Sequence, residues 1–204
     1  MALVRGLGSS AVSMECCRLG SQRKRLQTLR ELGVAEEDIE PALAYLGRSE
    51  RTPEQYLEWV FDRRGQAAQL MSRFTDGKLP VVYTALDVRT AVAEIIFHLD
   101  PPTDGSAMYL QQIDFDYSGE TLDLREHGDI FSFASDPNTN SYSACIKFAS
   151  EAVAQRIQAL LHTSARDPTG SCLPIFSRSS IIAWRDGPFH RIVHDGDHWD
   201  HRQM

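Results

Sequence analysis

The sequence lacks most of the signatures that would settle its class at once. No apolar run approaches the roughly 18 residues a membrane span needs, so a bilayer is not an expected partner. The four cysteines, Cys16, Cys17, Cys145 and Cys172, form no CxxC pair, which argues against a structural zinc site and for reduced thiols. Neither G-x-x-x-x-G-K-[ST] nor G-x-G-x-x-G occurs, so neither a P-loop nor a Rossmann crevice is offered. No G-x-S-x-G elbow surrounds a candidate nucleophile, and no repeat or low-complexity tract is visible. Basic residues are in short supply too. The 204 residues carry a formal net charge of −7, and Arg23-Lys24-Arg25 is the one short basic run. The summed field repels a phosphate backbone, which removes nucleic acid from the expected partners but leaves room for a local basic pocket.

What is present is ordinary globular composition, 42% hydrophobic and 24% charged, which suggests one domain with a small appendage. Residues 1–20 are too broken for a signal peptide and read as a poorly ordered tail. Residues 21–70 read as a helical extension. Leu26, Leu29 and Leu32 step by three with Gly33 as the stop, and Asp38 to Leu46 forms a short helix with Pro41 in its first turn. TPEQYLEWVFDRR then opens with Thr52 as N-cap, Pro53 at the first position and Gln55 completing a capping box, with Tyr56, Trp59 and Val60 as the buried face. This front is either a plain helical layer or a partner-docking module.

After Leu70 the texture changes. Asp76-Gly77 signals a turn before a strand at about 79–86, and DVRTAVAEIIFHL gives a helical stripe of Val88, Ala91, Val92, Ile95 and Ile96. Strands are expected around 108–115 and 121–124. Next comes a helix whose stripe runs Ile146, Ala149, Val153, Ile157 and Leu160, then strands in CLPIFSR, SIIAW and HRIVHD. Without a regular βαβα alternation, the class is α+β.

One ordered set carries chemistry. Arg73 precedes the turn, Tyr83 lies in the strand and Glu94 falls mid-helix, at spacings of 10 and 11; much later comes Ser164-Ala165-Arg166. Arg73-Phe74, Gly77, Tyr83-Thr84-Ala85, Thr90-Ala91-Val92-Ala93-Glu94, and Ser164-Ala165-Arg166 before Cys172 to Phe176 together resemble the RES domain family, over about residues 71–180. The resemblance implies an ADP-ribosyltransferase-like core of mixed, mostly antiparallel strands in residues 71–204. It also implies a toxin that degrades NAD+ as substrate, needs no further cofactor and is silenced by an antitoxin or immunity protein. Such an enzyme acts in the cytosol, whether made there or delivered as a secreted effector. The sequence departs from the family around Arg73, where Met71-Ser72 and Phe74-Thr75 replace the usual glycines and Trp-Asn.

Physical chemistry gives these residues roles. Cleaving the nicotinamide–ribose bond passes through an oxocarbenium-like state with a neutral leaving group, so the site must supply positioning and charge rather than a general acid. Glu94 suits the developing positive charge and the ribose hydroxyls, as carboxylates do in glycosidases. Arg73 suits a phosphate oxygen, with Phe74 beside it, and Tyr83 offers a π-face to the cationic ring. Ser164 has a hydroxyl to donate, and Arg166 is a second anion contact. The catalytic set is thus Glu94, Arg73 and Tyr83, and the substrate-binding set Arg73, Phe74, Tyr83, Ser164 and Arg166. Each residue alone has a plain structural reading: surface arginine, core tyrosine, solvated glutamate, helix-exit serine. The acceptor can be water (a glycohydrolase) or inorganic phosphate (a phosphorylase). Transfer of ADP-ribose to a protein, or an inert partner-binding module, are the alternatives. His190, His194, His198 and His201 lie among Asp195, Asp197 and Asp200, but Gly196 and Ile192-Val193 disfavour the helix that would align them, so no metal site is expected.

Overall fold

Residues 10–21, SAVSMECCRLGS, form the first strand of the sheet, β1 (Ser10–Ser21), and this corrects the expectation of a disordered tail through residue 20. Val12, Met14 and Cys16 alternate onto one face, and Cys17 and Leu19 pack on another cluster. The period-two signal is there, but serines and Glu15 dilute it. The computed structural model describes residues 7–21, 29–46, 52–62, 71–98, 107–127, 131–138 and 141–204. Leu26, the basic run at 23–25 and the Pro-rich segment after Asp100 lie outside them.

The described helices of the front are α1 (Glu36–Leu46) and α2 (Pro53–Phe61). The capping box at Thr52 forms as expected, with Gln55 N donating to Thr52 Oγ1 at 3.2 Å and Thr52 N donating to Gln55 Oε1 at 3.0 Å. Pro41 lies inside α1 rather than in its first turn, because Glu36, Glu37 and Asp38 start the helix earlier, at the end where negative charge is favourable. Leu32 is exposed, so it is no part of a buried stripe. Gly33, with φ of 77°, does end the preceding turn.

Then come β2 (Val82–Ala85), α3 (Val88–Phe97), β3 (Met108–Asp123), the short α4 (Ser132–Ser135), α5 (Tyr142–Ala154), β4 (Ala159–Thr163), β5 (Ser171–Ile175), β6 (Ile181–His194) and β7 (Trp199–Gln203). The two strands expected between 108 and 124 are one long strand, and so are SIIAW and HRIVHD. The helix expected to reach Leu160 stops at Ala154. Arg156 takes φ of 66° and Ile157 N bonds back to Ala152 O at 3.1 Å, which turns the chain and puts Leu160 into β4. The apolar positions fit a helical period only because helix and strand bury onto the same core.

The seven strands run β1-β2-β5-β4-β3-β6-β7, and β1 also pairs with β3. Ser10↔Thr121 through Ser21↔Leu110 zip β1 antiparallel along β3. The ring β3–β1–β2–β5–β4–β3 therefore closes into a barrel, with β4 parallel to β3 through Thr121↔Ala159 and the β6–β7 hairpin extending from the first part of β3. Cys16, Val82, Phe115, Tyr117, Ala159, Leu173 and Ile175 form one core cluster, which α2 joins through Leu57 and Val60. Helix α3 lays Ala91 and Val92, with Val88, Ile95 and Ile96, against Cys17, Leu19 and Ala85, as its stripe predicts. Helix α5 packs Phe148, Ala149 and Ala152 with Leu160 and Phe176. The fold is mixed helix and strand, and the N-terminal strand belongs to the same sheet as the C-terminal ones.

Candidate active site

Cross-strand register builds the floor of the site. Cys17 pairs with Ala85, Ala85 with Cys172, and Cys172 with His162, so one row of side chains crosses β1, β2, β5 and β4 on a common face. All four line a cavity of about 550 Å³, which lies in the range of small-molecule sites. Its walls include Arg73, Tyr83, Glu94, His98, Tyr142 and Arg166. The separated sequence candidates Arg73, Tyr83, Glu94 and Arg166 therefore meet at one cavity, with Ser164 bonded directly to Glu94.

Glu94 is set by α3. Asp87 caps that helix through Thr90 N at 2.9 Å, and the Thr90 hydroxyl lies 2.9 Å from a carboxylate oxygen of Asp87 and from one of Asp167. Arg89 pairs with Asp167 at 3.2 Å. Four residues beyond Thr90, Glu94 Oε1 accepts from Ser164 Oγ at 2.5 Å, Ala165 N at 3.1 Å and Cys172 Sγ at 3.6 Å. Positions i and i+4 of one helix face thus clamp the 164–170 loop at two points. Oε2 takes none of these bonds.

The same geometry corrects the role expected of Ser164. Its Oγ accepts from Arg166 N at 3.0 Å and Asp167 N at 2.9 Å, and its one proton goes to Glu94. No proton is left to donate to a phosphate, so Ser164 is a positioning residue. Phe74 lines the same cavity, almost entirely covered by its neighbours, with its ring 5.2 Å from His162. The Tyr83 hydroxyl accepts from Phe74 N at 2.9 Å and lies 2.8 Å from Ser72 Oγ, so it holds both neighbours of Arg73. Burial pushes its pKa up to about 12, which keeps it neutral. Tyr83→Phe is expected to cost about 1–3 kcal/mol by orphaning Phe74 N, and to loosen Arg73; urea unfolding and substrate affinity measure the two effects.

Arg73 is nearly buried and donates to the carbonyls of Asp136 at 2.7 Å and Phe133 at 3.4 Å, with Tyr142 stacked at 5.2 Å. Arg166 stacks on Phe97 at 3.2 Å and donates to Pro137 O at 2.9 Å; its Nε is buried without a partner. Both guanidiniums are held by neutral groups. Among the described residues, Arg30, Arg89, Arg125, Arg178, Arg185 and Arg202 pair with carboxylates, whereas the cavity arginines Arg18, Arg73 and Arg166 do not. Arg156, Arg191 and Lys147 also show no carboxylate partner among the described residues, but they do not line the cavity; three guanidiniums free of carboxylates converge on it, in an acidic chain.

His162, which sequence reasoning missed although it opens the HTSAR stretch, is buried in β4. Its Nδ1 lies 2.8 Å from Thr163 O, and a carbonyl only accepts, so Nδ1 carries the proton and Nε2 the lone pair. Burial lowers its pKa to about 4. Between about 4 and the unperturbed 6.5 the unfolded chain binds a proton that the folded one rejects, so stability rises with pH across that window and is complete above it. Acidification from pH 6.5 to 4 is expected to remove on the order of 3 kcal/mol of stability through this group, read as a falling melting temperature, and His162→Asn flattens that slope.

Gly170 closes the loop. A Cβ there would overlap Thr90 Oγ1, inside the clamp that carries Glu94. Gly170→Ala is expected to destabilise by about 1–3 kcal/mol and to shift the Ser164 turn, as read by urea unfolding.

The expected histidine cluster falls mostly on the β6–β7 hairpin. His190 bonds to His201 and Gln112, each at 2.8 Å, and His194 packs on Trp199. Among the described residues no group of three or more His, Cys, Asp or Glu is placed to hold a metal ion, and no helix is long and apolar enough to cross a membrane.

Comparison with known proteins adds the following. The family model described as RES domain matches residues 46–198. A solved structure, described as the crystal structure of the M. tuberculosis MbcT-MbcA toxin-antitoxin complex, is similar over 88% of this chain and 87% of that one. Its identity is 14% and its TM-score 0.44, too distant to bear on this chain's partners or chemistry. No curated protein matches the chain.

Proposed function

The chain belongs to the RES domain family, and from that premise we propose that the cavity binds NAD+ and cleaves its nicotinamide–ribose bond. The observation that carries the reading is the cavity's charge layout. Arg73 and Arg166, without carboxylate partners among the described residues, stand around one oriented carboxylate, Glu94. A ligand that matches is anionic along its backbone and cationic at one ring, as a nicotinamide dinucleotide is. Arg73 and Arg166 take the pyrophosphate oxygens. Tyr83 and Tyr142 wall the ring, where cation–π attraction contributes about 0.5–2 kcal/mol.

In the reaction the bond from the ribose C1′ to the nicotinamide nitrogen breaks and its electron pair stays on the nitrogen, so nicotinamide leaves neutral. The carboxylate of Glu94 stabilises the oxocarbenium ion, preorganised by Ser164, Ala165 and Cys172. The acceptor oxygen then bonds to C1′ and loses its proton to solvent. With water the products are ADP-ribose and nicotinamide; with inorganic phosphate, a 1-phosphate of ADP-ribose replaces ADP-ribose. An ADP-ribosyltransferase-like core, a toxic role in the cytosol and an antitoxin or immunity protein over the cavity belong to the same reading.

The test is to incubate purified protein with NAD+, with and without phosphate, and identify products by mass spectrometry. Free nicotinamide is expected. Intact NAD+ from a folded, inhibitor-free sample would sink the proposal, and labelled lysate proteins would move it to protein ADP-ribosylation.

A further inference from the structure

The cavity continues beyond the residues that serve the reactive end. Arg18 and Leu19 of β1 and Tyr56 and Trp59 of α2 line it together with Glu94 and Arg73. The Arg18 guanidinium stacks on the Tyr56 ring at 4.3 Å, and the Trp59 ring stands 6.2 Å from Tyr56, tilted by 32°. Beside this stack, the Arg18 guanidinium pairs with no carboxylate among the described residues.

We propose that Arg18, Tyr56 and Trp59 form a subsite for the purine base at the far end of the dinucleotide. A base is flat, neutral and π-faced. Aromatic rings and guanidinium planes are the groups that recognise it by stacking. The wall is held rigid, since α2 is fixed by its capping box and by Leu57 and Val60 in the core, and β1 by its pairing with β3. A stacking surface that does not have to order itself on binding wastes little affinity. Arg18 also brings positive charge, suited to the phosphate that adjoins the nucleoside. The subsite rests on the NAD+ reading, and it assigns β1 and α2 part of the recognition of substrate.

The test separates the two ideas by using fragments of the substrate. Binding of AMP and of nicotinamide mononucleotide is measured by calorimetry on the Glu94→Gln protein, with and without Trp59→Ala. AMP affinity is expected to fall by about tenfold more than that of nicotinamide mononucleotide. In the wild-type background Trp59→Ala is expected to raise KM for NAD+ far more than it lowers kcat. Trp59→Leu, which keeps apolar bulk against the core, serves if the alanine variant does not fold, and Trp59→Phe restores most of the AMP affinity. Equal losses for both fragments, or AMP binding indifferent to Trp59, overturn the subsite. Should NAD+ stay intact while AMP binding depends on Trp59, the cleavage reading fails and the base subsite stands. NAD+ cleavage with Trp59-independent AMP binding has the reverse meaning.

Discussion

Glu94→Gln is expected to lower NAD+ turnover by about 10²–10³-fold while leaving affinity for NAD+ nearly unchanged. The substitution is close to isosteric, and its amide oxygen still accepts from Ser164 Oγ and Ala165 N, which donate to Oε1 in the native protein. What disappears is the negative charge, and in the proposed reaction that charge matters most when the ribose becomes cationic. Loss of affinity in step with turnover would instead mean that Glu94 binds the ground state. Ser164→Ala is the informative companion. It leaves the charge but removes the bond that aims it, and it strips the acceptor from Arg166 N and Asp167 N. Turnover is expected to fall by less than for Glu94→Gln, with a measurable loss of stability, about 1–3 kcal/mol. In cells, expression of the wild-type protein is expected to arrest growth and expression of Glu94→Gln to permit it.

Deleting residues 1–21 is expected to abolish cooperative folding. Strand β1 pairs with β3 along its whole length and with β2 at Cys17↔Ala85, so its loss opens the barrel and leaves two unpaired edges. Cys16, Cys17 and Leu19, all buried, leave with it, and Phe115 and Leu110 lose cover. A detachable appendage would behave otherwise: the shortened chain would melt at the native temperature. A thermal melt by circular dichroism, with one-dimensional NMR dispersion, separates the two. The same reasoning means that removing residues 1–70 cannot test whether the front is a docking module, because α2 goes too and takes Leu57 and Val60 out of the core.

The elements that could be read from the sequence were those whose signal is local. The α3 stripe, the Thr52 capping box and the stops at Gly33 and Asp76-Gly77 depend on neighbours within a few residues. The ordering of Arg73, Tyr83, Glu94 and Ser164 was legible differently, as a spaced pattern of residue types; the fold brings the first three to one cavity and sets Ser164 against Glu94. What escaped depends on distant partners. Strand β1 owes its place to β3, about a hundred residues on. The end of α5 is hidden because Ile157 and Leu160 bury onto the core that the helix faces. Ser164 looked like a donor to substrate because only the folded loop shows its proton spent on Glu94. His162 and Trp59 carried no motif at all; they enter the site through register and through packing of α2.

The row Cys17, Ala85, Cys172 and His162 has a kinetic meaning as well. Glu94 receives its partners from Ser164 and Cys172, which lie 70 and 78 residues further on, and the barrel closes through contacts such as Cys16 with Phe115, 99 residues apart. Such long loops make folding slow and leave few local intermediates. A nascent chain that has emerged only through β4 has α3 and Glu94 but lacks the strand that completes the floor. Catalytic competence is therefore expected to arrive late and in one step, when β5 docks between β2 and β4, rather than to grow as the chain lengthens.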